Sequence, residues 1–213
     1  MKISKRLIKI SEYIDKDSIV FDVGSDHALL PCYLIENNLA RHVYAGDNKK
    51  GPLAKASENI SRYGLSKYIT TILSSGLDMA GDDVDTVVIA GMGAYTALDI
   101  LTRANLSQFK KIIVQANKDS SLIRKFISDN HYHIIDEIVI YDDFFYEIIV
   151  FNTEFGESLN LDEINYGPVL LAKRDLDFIA YLKFQLTKLE EIVKINPSEA
   201  LILKINEINR ILK

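Results

Sequence analysis

Short apolar runs alternate along the chain with longer stretches of helical spacing. The runs 18–23 (SIVFDV), 42–46 (HVYAG), 68–73 (YITTIL), 84–90 (VDTVVIA) and 110–115 (KKIIVQ) are brief and rich in β-branched residues. Strands read this way when both faces of their sheet are covered. Between them, segments 27–38, 51–63, 94–103 and 119–130 repeat apolar residues every three or four positions, which predicts helices. Strand and helix in alternation imply a parallel sheet with helices on both faces. The rhythm then changes. Runs 132–141 and 144–151 are joined by too few residues for a crossover helix, so they pair antiparallel at the edge of the sheet.

After residue 151 the chain turns polar (NTEFGESLNLDEINYGP) and reads as a linker. From 168 the spacing is helical again. Ile179, Leu182, Leu186, Leu189 and Val193 form one heptad seam, and Leu201, Ile205, Ile208 and Leu212 a second. The break between them, NPSE, reads as a helix start, with Asn196 as cap, Pro197 at the first helical position and Glu199 closing a capping box. The expected organisation is a ligand-binding α/β domain over 1–155 and an antiparallel two-helix coiled coil over 156–213. Such a coiled coil serves as a packing or dimerisation element, or as a lever that grips a large substrate. A monomer or weak homodimer fits either use.

Composition adds limits. The 213 residues carry a formal net charge of −5 and a single cysteine, Cys32. A lone cysteine allows no internal disulfide and fits a reducing, cytoplasmic setting. The basic N-terminus is interrupted by Lys9, Ser11 and Glu12, so it reads as neither a signal peptide nor an anchor, and no run is long enough to span a membrane. No CxxC, HExxH or clustered His/Cys pattern calls for a metal. The negative charge argues against non-specific attraction to nucleic acid over the whole surface. A local basic patch, Lys2, Lys5, Arg6 and Lys9, is the exception.

In open parallel sheets ligands sit beyond the carboxyl ends of the strands. The first predicted strand ends in Asp22, Gly24, Ser25, Asp26 and His27. A dinucleotide fingerprint would need glycine at Asp26, and a pyrophosphate there would meet a carboxylate. A ligand with a positive centre and no phosphate suits this turn. S-adenosylmethionine, with its sulfonium and ammonium, is such a ligand. Asp47, with Asn48 behind it, ends the second strand where a carboxylate can hold ribose hydroxyls. The third strand leads into Ser74–Ser75–Gly76–Leu77, the fourth into Ala90–Gly91–Met92, and the fifth into Gln115 and Asn117. Together with the hairpin ending, these residues favour a Rossmann-like class I methyltransferase fold over an NAD-binding domain.

The stretches DVGSDHALLP, KKGPLAKASENISRYGL, SSGLD, VVIAGMGA, IVQAN and YEIIV, in this order, resemble the bacterial tRNA (adenine-22-N1)-methyltransferases. The resemblance implies methyl transfer from S-adenosylmethionine to N1 of an adenine in tRNA. It places Asp22, Gly24, Ser25, Asp26 and His27 at the methionine end of the cofactor. Asp47 and Asn48 fall at the ribose, Ser75, Gly76 and Leu77 at the adenine, and Ala90, Gly91 and Met92 across the pocket. Asp26 is the expected catalytic residue, stabilising charge on the acceptor ring, with His27 orienting it. Lys5, Arg6 and Lys9, with Tyr95, Gln115, Asn117 and Tyr146, are the expected contacts to tRNA; Lys173, Arg174 and Lys183 on the tail would add grip. Three positions depart from the family's habit: Asp47 for glutamate, Ser75 for an acid or amide, and Ala116 for proline. Another RNA site, a small-molecule acceptor and a catalytically silent cofactor- or RNA-binding protein stay open on the residues alone.

Overall fold

The computed structural model describes residues 1–213. Seven strands form one sheet: β1 (Ser18–Val23), β2 (Ala40–Asp47), β3 (Ile69–Leu73), β4 (Thr86–Met92), β5 (Lys111–Ala116), β6 (Tyr132–Asp142) and β7 (Phe144–Phe155). Their order is β3-β2-β1-β4-β5-β7-β6. The first five pair in parallel, and β7 runs antiparallel to both β5 and β6. The order reverses between β1 and β4, and at such a reversal two adjacent crossovers leave in opposite directions and open a crevice.

Alternation along each central strand feeds two cores. In β1, Ile19, Phe21 and Val23 point to one face and Val20 to the other. The first face packs under α4 (Ala94–Arg103) and α5 (Ser120–Asp129), whose Ala97, Ile100, Leu101, Ile123 and Ile127 are buried. The second packs under α2 (Leu29–Glu36) and α3 (Lys50–Arg62), with Ile10 and Ile14 of the N-terminal segment closing it. The short helix α1 (Lys5–Ser11), capped by Ser4, rests against β6. That contact carries its side chains to the carboxyl edge of the sheet.

The C-terminal part departs from its expected outline. β7 continues to Phe155 because Asn152 and Phe155 still pair with His133 and Tyr132. Asn160 and Glu163 form a reciprocal capping box that starts α6 (Leu161–Tyr166) inside the supposed linker. Two further helices, α7 (Pro168–Lys173) and α8 (Leu176–Ile195), lead to α9 (Glu199–Leu212). The cap of α9 is Ser198, whose Oγ accepts from the Leu201 amide, and Asn196 instead ends α8. Proline disfavours helical backbone in the residue before it, which holds Asn196 extended and moves the start two residues on. Phe178 and Leu182 near the start of α8 share a core with Ile208 and Ile211 at the end of α9, so the two helices run antiparallel. Val139 of β6 belongs to the same cluster.

A buried ionic junction ties these helices to the sheet. Arg124 of α5 is fully buried; its Nε donates to Glu137 Oε1 of β6 and its Nη2 to Glu147 Oε2 of β7, each at 2.5 Å. Glu147 also accepts from the Tyr181 hydroxyl of α8 at 2.9 Å, and Glu137 from the Val169 amide of α7 at 3.1 Å. Burial pushes the Glu137 carboxyl above the usual range, against the pull of Arg124. Arg124 itself stays firmly charged, since its two carboxylates outweigh the cost of burial.

Candidate active site

The turn after β1 is built from unusual backbone. Gly24, Asp26 and Ala28 all lie in the left-handed region, at φ of 71°, 49° and 53°. Aspartate tolerates that region better than most residues, alanine poorly. The turn is held against this cost by two bonds to one carbonyl: the amides of Gly24 and Ser25 both donate to Gly46 O of β2 at 2.9 Å. Asn59 of α3 adds a third restraint, its side-chain amide donating to His27 O at 3.0 Å. A side chain on Gly24 would meet Met92 Cε at 3.3 Å, which the methionine tip can yield to, so glycine is favoured here by its φ of 71°.

Two clefts meet at this turn. The first, about 250 Å³, is lined by Asp22, Gly24, Ser25, Asp26 and His27 on one side and by Arg6, Ala90 and Gly91 on the other. Leu7, Leu29 and Leu30 complete it. The second, about 210 Å³, is lined by Asp47, Asn48, Ser74, Gly76, Met92, Thr96 and Ile100, and it shares Gly24 with the first. The pair spans the crevice where the strand order reverses.

Asp22 forms the floor of the first cleft. Burial pushes its carboxyl up to about 7, opposed by Ser25 and by the charge of Arg6. The Ser25 hydroxyl is buried beside Asp22 and makes no hydrogen bond of full geometry within the protein, which leaves a polar atom for a ligand to satisfy. Asp26 is exposed, with His27 Nε2 at 3.5 Å from its Oδ2. In the second cleft Asp47 Oδ1 accepts from the Lys49 amide at 2.9 Å, and Ser74 Oγ donates to Gly76 O at 2.9 Å. A ligand with a cationic end, a diol and a flat apolar ring fits this sequence of groups: carboxylate and orphan hydroxyl, then Asp47, then Gly76, Met92 and Ile100. The residues therefore fit S-adenosylmethionine.

The far wall is a hydrogen-bonded clamp around the Gly91 peptide, itself at φ 79°. The Gly91 amide donates to Gln115 Oε1 at 3.1 Å, and Asn117 donates to Gly91 O at 2.9 Å. Gln115 Nε2 closes the ring by donating to Asn117 Oδ1 at 3.3 Å. Gln115 is thus fully buried and occupied within the wall. Arg6 joins the clamp by donating to Gln115 Oε1, and its guanidinium lies over the Tyr146 ring, 5.3 Å from the centroid.

Most of the residues expected from the sequence converge. Asp22, Gly24, Ser25, Asp26, His27, Ala90 and Gly91 line the first cleft; Asp47, Asn48, Gly76 and Met92 line the second. Two sit elsewhere: Ser75 points to solvent beside the lining Ser74, and Leu77 is buried in the core under α4. Tyr95 is exposed at the start of α4, outside both clefts. Lys5 is exposed on α1, and Lys9 is paired with Glu12 at 2.7 Å. On the tail, Lys173 is bound to Asp136 and Arg174 to Ile211 O, so neither cation is free. Sequence reasoning did not find Leu7, Leu29, Leu30, Thr96 and Ile100. Each sits on a helix whose apolar spacing looks like ordinary core, so no sequence signal separates them.

Sheet order, a reversed final strand and an acidic first turn without a phosphate cradle define a Rossmann-like class I methyltransferase. Residues 20–213 match the family model TrmK, tRNA (adenine(22)-N(1))-methyltransferase, and the chain belongs to that family. It is 34% identical over 154 residues to the tRNA (adenine(22)-N(1))-methyltransferase of Bacillus subtilis, a match covering 70% of this chain and 65% of that protein's length. Among solved structures, the TrmK of M. capricolum in complex with S-adenosyl-homocysteine is 30% identical with a TM-score of 0.86, each chain covered in full. Streptococcus pneumoniae Sp1610 in complex with S-adenosyl-L-methionine is 29% identical with a TM-score of 0.91, again over the whole of both chains.

Proposed function

We propose that this chain transfers a methyl group from S-adenosylmethionine to N1 of adenine 22 in tRNA. The observation that carries the reading is the pair of clefts joined at Gly24, one floored by Asp22 and the other edged by Asp47, opening onto the Gly91–Met92 wall. When bound, S-adenosylmethionine supplies a methyl group already activated on a sulfonium.

The chain's own task is then alignment and exclusion of water. Adenine N1 carries no proton at neutral pH, so no general base is required. Holding two reactants in line is worth about 7–11 kcal/mol. Asp22 and the Ser25 hydroxyl bind the amino-acid end, Asp47 the ribose, and Gly76 with Ile100 the adenine of the donor. The acceptor ring enters from the side of Tyr146 and gains positive charge as it is methylated. Asp26, exposed at the mouth of the first cleft, supplies the carboxylate that favours this charge, and His27 orients it. A stacked tRNA base is out of reach in place, so it must be flipped into the cleft at a cost of a few kcal/mol. On this reading the chain works in the cytoplasm as a monomer or weak homodimer, with tRNA as its partner.

The test is transfer of labelled methyl to two transcribed tRNAs, one with adenine at position 22 and one with guanine. Label on the first alone is expected, and Asp26→Asn should slow it by about 10²–10³-fold, as loss of one charge-stabilising group does elsewhere. Equal label on both would overturn the assigned site. Label on neither, with S-adenosylhomocysteine shown to bind, would overturn the assigned acceptor.

A further inference from the structure

Arg6 lines the first cleft on the Tyr146 side, the side from which the tRNA reading brings the acceptor base. Its guanidinium lies over Tyr146, donates to Gln115, and stands 3.6 Å from the point a Cβ on Gly91 would occupy. These three groups form the wall opposite Asp22 and Asp26. A purine entering the cleft would need the same aromatic face, since flat rings and guanidinium planes compete for it. Arg6 also differs in its partners from four of the six other arginines of the chain. Arg62, Arg103, Arg124 and Arg210 each contact a carboxylate. The Arg6 side chain makes one hydrogen bond, to the neutral amide of Gln115, and the nearby Asp142 is taken by its backbone amide instead. Four of its five N–H donors therefore remain unspent, and no carboxylate lies within ion-pair distance of its guanidinium, although its charge is felt by Asp22 across the cleft.

A cation fixed against the acceptor ring would oppose the positive charge that develops on it. Arg6 is thus in the wrong place for the methylation step and in the right place before it. It sits on a helix of about two turns, next to exposed Lys2 and Lys5, which also lack carboxylate partners. A flipped nucleotide brings its own phosphate to this rim. Resting on the tRNA reading above, we propose that Arg6 closes the acceptor pocket of the free chain, and that it exchanges Tyr146 and Gln115 for a tRNA backbone phosphate as the flipped adenine takes the Tyr146 face. Arg6 is then a substrate-positioning residue that couples pocket opening to the arrival of nucleic acid.

The exchange has a signature that a fixed pillar of the wall would lack. Each phosphate contact contributes about 0.7–0.9 to the slope of log binding constant against log salt. Arg6→Gln, Arg6→Lys and Lys125→Ala, the last an exposed lysine paired with Asp129 on another face, are compared with the unaltered chain. S-adenosylhomocysteine titration establishes that each is folded. Arg6→Gln is expected to bind tRNA roughly tenfold more weakly at low salt. Its salt slope should fall by about 0.7–0.9, and its loss of turnover should fall on KM more than on kcat. Arg6→Lys keeps the slope because it keeps the charge, and Lys125→Ala keeps both slope and affinity. An unchanged slope in Arg6→Gln, with kcat carrying the loss, would overturn the proposal, as would a slope lost equally in Arg6→Lys. If the unaltered chain fails to methylate the adenine-22 tRNA, the underlying reading falls; if it methylates and only the slope is unmoved, this proposal alone falls.

Discussion

Replacing Arg124 by methionine tests whether the buried junction holds the helical tail to the sheet. The substitution keeps an unbranched apolar stem and removes a cation with no solvent exposure. Glu137 and Glu147 then face each other in the interior with only the Val169 amide and the Tyr181 hydroxyl as donors. Removing one partner of a buried ion pair costs about 3–5 kcal/mol, because the remaining charge is left uncompensated. Two carboxylates share the loss here, so the upper half of that range is expected. Against a total stability of about 5–15 kcal/mol this is a large share. In a chain of this size it lowers the midpoint of a thermal melt by roughly 8–20 °C. The sign with pH follows from Glu137, whose folded-state carboxyl is already raised by burial and loses the opposing pull of Arg124. Its protonated form favours the folded state, so the variant loses stability as pH rises through the raised value. The deficit should therefore be larger at pH 8 than at pH 5. Urea titration followed by circular dichroism at both pH values reads it. A deficit under about 1 kcal/mol, or one that shrinks as pH rises, would refute the reasoning, because an interior that solvates two bare carboxylates is not the interior described.

Three further outcomes are expected. The Asp22 carboxyl, raised from 3.8 to about 7 by burial, favours folding when protonated. The ligand-free chain should lose stability as pH rises from about 4 to about 7, while affinity for S-adenosylhomocysteine, whose ammonium the ionised carboxylate attracts, rises through about pH 7; Asp22→Asn should remove both trends in parallel titrations. Gly24→Ala forces a Cβ into the left-handed region 3.3 Å from Met92 Cε. It should cost about 1–2 kcal/mol in a urea melt and weaken S-adenosylhomocysteine binding; wild-type values for both would mean that the turn tolerates a side chain. Ser198→Ala removes the cap of α9 and should cost about 1 kcal/mol, whereas Asn196→Ala, which leaves that cap in place, should cost less. Equal losses would restore Asn196 as the effective cap.

Several features were legible because they depend on local order along the chain. Each central strand is a short β-branched run buried on both faces, and β1 falls on the residues its pattern marks, Ser18–Val23. The helices over 94–103 and 120–129 follow their apolar spacing in the same way. Candidate ligand groups were legible for a related reason. In a parallel sheet every strand ends on the same side, so Asp22, Asp47, Gly76 and Gly91 had to converge once the strands were placed. The acidic turn excluded a phosphate cradle through chemistry that needs no fold.

The start of α9 and the extent of β7 were decided by competition that sequence spacing does not rank. Asn196 and Ser198 are both good caps, and the backbone limit that Pro197 sets selects the second. The polar tail of β7 looked like a linker because its strand pairing, with Tyr132 and His133, lies some twenty residues away.

Sequence by itself determined the strand–helix alternation, the reversed ending and the set of groups at the carboxyl edge, since periodicity and residue chemistry are local properties. Tertiary structure alone decided that Gln115 is walled in, that Arg124 is the centre of a buried junction and that Arg6 lies across Tyr146. Those facts rest on contacts spanning 109 residues between Arg6 and Gln115 and 23 between Arg124 and Glu147. An arginine in the sequence is ordinarily a surface cation; whether it is spent, buried or waiting is set by what the fold brings against it.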